Sequence, residues 1–306
     1  MKIAGFMDKG GFRFIRDSVT TKLMGVITLS IVIIFFVILF FLIWRSSLLL
    51  GEYSITEILL SSRWSPKRGE FGLYPIMIGT ILVTGIALLI AVPISILSAV
   101  YISEYAPLRL RHIVRPFIDL LSGVPSVVYG LCAFLFLVPI VKDYIAPLFG
   151  VQSTGLCIFT ASVTLAVMVL PIIISLCVEA FTAVPLPLRE ASLSVGATRW
   201  ETVKKVIFRA SAPSIISAIL LGFGRAFGET IAVNMVVGGI SRVPSSLFDP
   251  SQTFASKIIS DYSELSSIPI RESALLFMAL LLLIVVVVFN ILSKILLYKT
   301  QKRWSY

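Results

Sequence analysis

Residues 23–44 read LMGVITLSIVIIFFVILFFLIW, an apolar run that contains no charged residue. A helix needs about 20 mainly apolar residues to cross the roughly 30 Å hydrocarbon core of a bilayer, so this run is long enough to span a membrane. It is too long for the core of a signal peptide, and no small-residue cleavage site follows it. The run therefore predicts a retained membrane helix.

Further stretches of the 306-residue chain meet the same requirement. Together with the first run, the predicted spans are 23–44, 74–102, 113–141, 154–181, 212–239 and 272–297. The composition agrees, because 58% of the residues are hydrophobic, only 14% are charged and the mean hydropathy is +1.01. Soluble domains contain about 25% charged residues. The sequence therefore predicts an all-α membrane protein with six transmembrane helices.

The net charge of +10 suggests nucleic-acid binding at first, but the placement of the basic residues indicates membrane orientation instead. Seventeen of the 26 Lys and Arg residues lie in segments 1–22, 103–115, 182–211 and 294–306, and eight lie in the alternate segments. The positive-inside rule places the first set, with both termini, in the cytoplasm. We therefore expect a multi-pass protein of the cytoplasmic (inner) membrane whose basic loops face lipid and not nucleic acid.

The predicted spans also give the domain organisation. The expected units are a cytoplasmic N-terminal segment (1–22), a first helix with its outer loop (23–73), a core of five helices (74–297) and a cytoplasmic tail (298–306). The core includes cytoplasmic loop 182–211 and outer loop 240–271. Within the outer loop, four apolar residues recur at helical spacing: Phe254, Ile258, Tyr262 and Leu265. They predict an amphipathic helix that covers the bundle or docks another protein.

The chain carries no motif for catalysis of its own. It lacks a GxxxxGK[ST] phosphate loop and an HExxH motif, its only histidine is His112, and its three cysteines form no CxxC pair. We expect no catalytic residue, no metal site and no cofactor in this chain.

Residues 185–201 read PLPLREASLSVGATRWE, which predicts a helix, a break and a second helix. Two prolines open the segment, and Gly196 is placed to end the first helix. Thr198 and Glu201 have the spacing of a capping box for the second helix. A short helix held crosswise in this way can insert into a groove of another protein, or it can lie under the bilayer as an ordinary interfacial hairpin.

Arg225 and Glu229 lie near the middle of the predicted fifth span, where each charge costs about 2.5–3.5 kcal/mol on insertion scales. On a continuous helix they share a face and can pair, but such pairing rarely exceeds the cost of desolvation. We therefore predict that they line a polar pathway, with a structural ion pair as the alternative. The planar guanidinium fork of Arg225 suits a tetrahedral oxyanion.

Small residues and a proline flank this pair in the predicted bundle. Gly224 and Gly228 form a small-xxx-small stripe, which predicts close packing against another helix at a place where a gate could open. Pro125, followed by Ser126, is expected to break the third span, as is tolerated where the freed carbonyls face protein or a water-filled cavity.

The cytoplasmic loop resembles a known family. The run EAS at 190–192, followed by Gly196, is similar to the EAA…G loop of ABC importer permeases, with Ser192 in place of the second alanine. In that family the loop forms a coupling helix, which docks on a separate ATP-hydrolysing subunit. The usual Leu-Pro end of the motif is replaced here by residues 208–209, Phe-Arg. The residues to which the resemblance gives the coupling role are Arg189, Glu190, Ala191, Ser192 and Gly196.

Three further segments narrow the resemblance to PstC-type permease subunits of phosphate importers. They are WSP, FGLYP and GT between residues 64 and 80, GVPSVVYG at 123–130, and GFGRAFGET at 222–230. The resemblance covers nearly the whole chain from about residue 20. It implies the type I ABC importer permease fold, in which a five-helix core carries the N-terminal helix on its outside and works by alternating access.

The resemblance also implies partners and a cargo. The expected partners are a second, homologous permease subunit, a dimer of ATPase subunits that binds ATP and Mg, and an extracytoplasmic phosphate-binding protein. The implied substrate pathway includes Arg225, Glu229 and Thr230. Glu229 could accept a hydrogen bond from a protonated phosphate, which fully deprotonated sulfate cannot donate. Two alternatives remain: a permease for sulfate, molybdate or tungstate, and a secondary transporter that works without an ATPase.

Overall fold

The computed structural model describes the backbone of residues 4–304 and the side chains of residues 19–295. Its helices are α1 (Ala4–Glu52), α2 (Ile55–Leu60), α3 (Tyr74–Tyr105), α4 (Leu108–Ser122), α5 (Ser126–Leu148), α6 (Ile158–Thr182), α7 (Leu186–Ser194), α8 (Arg199–Phe227), α9 (Ile231–Val236), α10 (Phe254–Leu265) and α11 (Pro269–Trp304). A short antiparallel ribbon in the first outer loop pairs β1 (Trp64–Ser65) with β2 (Glu70–Phe71).

Six of these helices are long and apolar enough to cross a membrane, which confirms the number of predicted spans. They are α1, α3, α5, α6, α8 and α11. Three of them widen into π-helical turns, at Tyr101–Tyr105 in α3, at Ala133–Leu137 and Val141–Ile145 in α5, and at Val203–Ile207 in α8. The predicted domain boundaries within the chain stay predictions.

The centre of the bundle is α6, which packs against α3 and α8. In the most apolar window of α6, 61% of the residues are buried, against 0% in that of α1. Small side chains allow the helices to approach, since Ala87 and Ala91 of α3 are buried in the same cluster as Val169 and Ile173 of α6. The polar groups of the rest of the chain are arranged around this apolar centre.

Helix α1 lies outside the other spans, as the resemblance implies. Its last turns attach to the start of α11, where Arg45 forms an ion pair with Glu272. The Ser273 hydroxyl donates a hydrogen bond to the Arg45 carbonyl over 2.7 Å and accepts one from the Leu49 N–H over 3.0 Å. Because the end of α1 meets the start of α11, the two helices run antiparallel.

The predicted third span, 113–141, is wrong at its beginning. The helix is interrupted at residues 123–125, and the segment before this interruption is the separate helix α4. Pro125 lacks a backbone N–H and disfavours the α conformation for the residue before it, so the predicted break occurs there. The spanning helix α5 therefore begins only at Ser126.

The predicted fifth span, 212–239, is wrong at both ends. Its helix, α8, begins at Arg199, because the second helix of loop 182–211 continues into the predicted span without a break. It stops at Phe227, and residues 228–230 are not helical before the short helix α9 begins. The interruption falls where the sequence places Gly228, a residue that pays a high entropic cost inside a helix.

The predicted amphipathic helix of the outer loop is confirmed as α10. Phe254 and Leu265 are buried, and Tyr262 is 51% exposed. The first outer loop attaches to α10, since Lys67 Nζ lies 2.7 Å from the Glu264 carboxylate. This hydrogen-bonded contact lowers the pKa of Glu264.

Candidate functional site

The loop between α6 and α8 has the predicted form of helix, break and helix. Helix α7 ends in a Schellman arrangement, in which the Gly196 N–H donates to the Leu193 carbonyl over 3.0 Å and the Ala197 N–H to the Ser192 carbonyl over 3.3 Å. Gly196 has a φ of +85°, which favours glycine, and a Cβ there would meet nothing within 4 Å. The glycine is therefore required by its backbone conformation and not by crowding.

The capping box predicted for the second helix is also confirmed. The Thr198 hydroxyl accepts a hydrogen bond from the Glu201 N–H over 3.2 Å, and the Glu201 carboxylate accepts one from the Thr198 N–H over 2.9 Å. The hydroxyls of Ser192 and Thr202 lie 2.9 Å apart and join α7 to α8. A displacement of α7 is thus passed directly to the start of α8.

Arg189 holds α7 against the end of α3. Its Nη1 lies 2.7 Å from both carboxylate oxygens of Glu104, and its Nη2 donates to the Phe181 carbonyl over 2.5 Å. The side chains of the pair are only 18% and 8% exposed. The structure therefore gives Arg189 an anchoring position inside the chain, and the coupling role that the resemblance implies for it stays a prediction.

The rest of α7 faces outward, and none of its residues is buried. Glu190 and Ala191 are exposed, and Ser192 is half-buried. Large apolar side chains project from the helix and its end, with exposures of 63%, 48%, 50% and 84%: Leu186, Leu188, Leu193 and Val195. An apolar projection of this kind on a polar loop is typical of a protein contact surface.

Arg225 and Glu229 do not form the intrahelical ion pair that was the alternative to a pathway role. Arg225 lies in the last turn of α8, whereas Glu229 lies in the nonhelical segment that follows. The Glu229 carboxylate accepts a hydrogen bond from the Ala232 N–H over 3.2 Å and so caps α9. Both side chains are half-buried, and Arg225 makes no hydrogen bond or ion pair with any residue that the structure describes.

Packing against α6 fixes the depth of this arginine in the bundle. A Cβ on Gly222 would come within 2.7 Å of Ile173 and 3.1 Å of Val169, so α8 touches α6 there. These two residues lie halfway along α6. Arg225 follows Gly222 by three residues, which is about 4.5 Å at 1.5 Å per residue. The unpaired guanidinium therefore lies close to the middle of the span.

The helices are interrupted at two places, residues 123–125 before α5 and residues 228–230 before α9, and these two breaks lie near each other. A Cβ on Gly130 of α5 would come within 2.9 Å of both Ala232 and Met235 of α9, so these helices are in close contact. Arg225 also interacts electrostatically with Tyr129. The Tyr129 hydroxyl donates to the Leu121 carbonyl over 2.8 Å and spans the break before α5. Arg225 is thus within electrostatic range of Tyr129, about one helical turn after Pro125.

Ser126 and Thr230 lie at the ends of the two breaks, where the next helix begins. Ser126 is the first residue of α5, and Thr230 is the last residue before α9. The Thr230 hydroxyl donates to the Gly228 carbonyl over 3.1 Å. Gly228 and Thr230 line a cavity of about 510 Å³ that extends to Ile259 and Tyr262 of α10. This cavity therefore lies between residues 228–230 and α10.

Gly224 and Gly228 have no helix packed against them in this chain. A Cβ on Gly224 would meet nothing within 4 Å among the described residues, and a Cβ on Gly228 would meet only the Gly224 carbonyl at 3.4 Å. The packing glycine of α8 is Gly222, which the sequence did not single out. The predicted contact at Gly224 is therefore absent within the described chain, and contact with another subunit stays a prediction.

Glu104 and Tyr129 were not predicted. The signal for Glu104 was available, since it is an acid at the end of a span, and it faces the loop that carries Arg189. Tyr129 lies inside the GVPSVVYG segment, but nothing in its spacing relates it to Arg225. Both contacts depend on how distant helices pack.

Comparison with known proteins places this architecture among transport proteins. A family model described as "Binding-protein-dependent transport system inner membrane component" matches residues 91–305. The chain is 33% identical over 275 residues to the phosphate transport system permease protein PstC of Haemophilus influenzae, which covers 84% of this chain and 87% of that protein. It is 35% identical over 250 residues to the probable ABC transporter permease protein YqgH of Bacillus subtilis, which covers 81% of this chain and 79% of that protein.

Solved structures show the same fold at lower identity. A bacterial ABC transporter involved in the import of the acidic polysaccharide alginate superposes with a TM-score of 0.60 at 17% identity, over 92% of this chain and 98% of that chain. The MetNI methionine ABC transporter, in inward facing conformations, gives a TM-score of 0.56 at 16% identity, over 72% of this chain and 93% of that chain.

Proposed function

Because the chain belongs to the family of binding-protein-dependent transport system inner membrane components, we propose that it is the permease subunit of an ATP-driven importer of inorganic phosphate. The relatives named for phosphate transport support the cargo. The observation that carries the proposal is Arg225, a cation near the middle of the bundle with no carboxylate partner among the described residues. A charge at the depth of the membrane without a partner is costly, so a ligand that supplies the missing acceptor explains its presence.

The pathway that we propose runs between the two breaks. Phosphate enters from the cavity beside Thr230 and is bound by the Arg225 guanidinium, which offers a planar fork of donors. The Glu229 carboxylate lies on the adjoining segment and accepts the hydrogen bond that a protonated phosphate donates. Non-helical backbone at membrane depth is tolerated where it lines a cavity.

The coupling surface that we propose is the outward face of α7. ATP-driven closure of two partner ATPase subunits displaces this helix, and the hydroxyl contact from Ser192 to Thr202 passes the displacement to α8. Helix α8 carries Arg225 at its other end, so the displacement reaches the pathway. Alternating access follows when this core rocks between outward-open and inward-open states.

The remaining proposals concern orientation and partners. We propose that both termini and α7 face the cytoplasm, as the distribution of basic residues indicates. A second permease subunit completes the pathway, and an extracytoplasmic phosphate-binding protein docks on the surface formed by α10 and the first outer loop. The ATPase partners bind ATP and Mg, and this chain binds neither.

Uptake by the reconstituted complex tests the proposal. The complex of this chain with its partner subunits is reconstituted in proteoliposomes. The binding protein and radiolabelled phosphate are added, with ATP either inside or outside the vesicles. We expect uptake that requires ATP at the ATPase face and that excess sulfate does not inhibit. Faster uptake of sulfate, molybdate or tungstate would establish the other oxyanion permease, and uptake without ATP would establish a secondary transporter.

A further inference from the structure

A second cavity, of about 550 Å³, opens at the other end of the bundle, between the end of α3, α4 and α6. Its walls are mainly apolar and include Leu97, Ile102, Leu110, Val114, Ile118 and Ile174. Among the described residues that line it, Arg111 is the only charged one. An apolar cavity with one cation at its edge suits a ligand that has an acidic group and a hydrocarbon part.

Arg111 is incompletely bonded in the described chain. Its Nη2 donates to the Ser103 carbonyl over 2.6 Å. Its Nε is shut off from solvent and has no acceptor among the described residues, and Arg111 belongs to none of their ion pairs. A buried donor without an acceptor is costly, so this guanidinium favours an acceptor that reaches it from the cavity.

The cavity lies at the depth of one leaflet of the bilayer. Ser103 adjoins Glu104, whose contact with Arg189 of α7 places this end of α3 beside the polar loop. Ile174 precedes the end of α6 at Thr182 by eight residues, which is about 12 Å of helix. The charged edge of the cavity is therefore level with the headgroups, and its apolar wall is level with the acyl chains.

Two exposed cations on α4 add to the positive field at this edge. Arg109 and Arg115 are both exposed, and they flank Arg111 in the sequence. Basic residues near a membrane surface attract anionic lipids. A zwitterionic lipid would bring its own ammonium group to the same place, where these arginines repel it.

We propose that this cavity binds one anionic phospholipid, with its phosphodiester at Arg111 and one acyl chain along the apolar wall. The phosphate oxygens accept hydrogen bonds from Nη1 and, after a small rotation of the side chain, from Nε. Free phosphate would satisfy the arginine but would leave the apolar wall uncovered. This site is separate from the proposed transport pathway, and it does not depend on the identity of the cargo.

Native mass spectrometry of the intact transporter complex tests the proposal. The delipidated complex is titrated with phosphatidylglycerol and with phosphatidylcholine of the same acyl chains. We expect phosphatidylglycerol to bind at least about tenfold more tightly than phosphatidylcholine, as one charge-assisted contact implies. Arg111→Gln removes this preference, whereas Arg242→Gln, which removes an exposed arginine at the opposite end of the bundle, retains it.

A second variant acts on the apolar wall. Ser98 lines the cavity, so Ser98→Phe fills it and weakens binding of both lipids while Arg111 is intact. Gel filtration and ATP hydrolysis of each complex check that the variants assemble. Equal losses in Arg111→Gln and Arg242→Gln would overturn the proposal, as would equal affinity for the two lipids or absence of bound lipid. Displacement of the lipid by millimolar inorganic phosphate would reassign the site to a free anion.

Discussion

Arg189 and Arg225 are two half-buried arginines of the same bundle, and they differ in how completely their donors are used. Arg189 binds both carboxylate oxygens of Glu104 and the carbonyl of Phe181. Arg225 makes no hydrogen bond or ion pair with the residues that the structure describes. An arginine whose acceptors all come from its own chain holds helices together, whereas one that lacks acceptors is available to a ligand.

The backbone around the two arginines also differs in how completely its hydrogen bonds are made. Arg189 lies on a continuous helix that ends in a complete Schellman arrangement, so the backbone around it has its hydrogen bonds. Arg225 lies between two breaks, at Pro125 and at Gly228, where helical bonds are interrupted. The anchored arginine thus precedes the beginning of α8, and the arginine without acceptors lies near the end of α8.

The largest effect is expected at Arg225. Arg225→Ala should abolish phosphate uptake, because each lost charge-assisted hydrogen bond is worth about 1.5–3 kcal/mol, or about ten- to hundredfold in binding. Assembly and ATP hydrolysis should persist, since the Arg225 side chain makes no hydrogen bond or ion pair with the described residues. Uptake of radiolabelled phosphate and ATPase activity of the same proteoliposomes measure the two properties.

The control for this variant is Arg109→Ala, which removes an exposed arginine of α4 that lies outside the proposed pathway. It should leave uptake unchanged. Normal uptake by Arg225→Ala would remove the distinction between the two arginines, because Arg225 would then be a structural residue like Arg189.

The next effect concerns the anchor. Arg189→Met leaves Glu104 buried without its partner, and removal of one member of a buried pair costs about 3–5 kcal/mol. We expect a lower thermal midpoint and loss of the ATPase subunits from the complex, as measured by thermal unfolding and by co-purification.

The double variant Arg189→Met with Glu104→Leu should recover most of the stability, because neither charge is then left alone. The control is the exposed ion pair of Glu201 with Lys205. Lys205→Met should leave the thermal midpoint unchanged, because an exposed pair contributes little stability. If Arg189→Met retained full stability and failed only to bind the ATPase, Arg189 would be a docking residue after all.

A smaller effect is expected from the glycines that place Arg225. Gly222→Val forces its side chain into Ile173, and overpacking of this kind costs about 1–3 kcal/mol. The same substitution at Gly224 meets open space in the described chain. We expect Gly222→Val to lower the thermal midpoint of this subunit and Gly224→Val to leave it unchanged.

Assembly distinguishes the two glycine variants further. Loss of the second permease subunit from Gly224→Val, seen by co-purification, would place the predicted helix contact between subunits. A destabilised Gly224→Val subunit on its own would contradict the packing described for α8.

The smallest effect is expected at the capping box. Thr198→Ala removes both hydrogen bonds of its hydroxyl, the one accepted from the Glu201 N–H and the one donated to the Glu201 carboxylate, and should cost about 1 kcal/mol, as N-cap losses do. Thr198→Ser retains the hydroxyl and serves as the control. Hydrogen exchange at the start of α8 measures the fraying, and equal protection in the alanine and serine variants would show that packing alone holds this end.

The sequence predicted the parts of this molecule that local chemistry determines. The capping box at Thr198, the glycine at Gly196 and the amphipathic helix α10 each depend on residues within a few positions of one another. The six spans depend on apolar runs that are as long as a bilayer is thick. These signals do not require knowledge of the neighbouring helices.

The parts that the sequence did not predict depend on packing between distant residues. Hydropathy alone cannot distinguish an unbroken span from one that is interrupted at Gly228. Here the chain continues after the interruption as α9, which packs against Gly130. The spacing of Arg225 and Glu229 suggested a pair because the helix was assumed to continue through both. Glu104 and Arg189 are separated by 85 positions, so only the packing of α3 against α7 reveals their contact.

The apolar side chains of α7 have a consequence for the supply of this protein. Leu186, Leu188, Leu193 and Val195 would face water in any copy that lacks its ATPase partner. Exposed apolar surface promotes aggregation and attracts proteases and chaperones. We therefore expect copies made in excess of their partners to be degraded, so that the cellular level of this subunit follows that of the scarcest component of the complex.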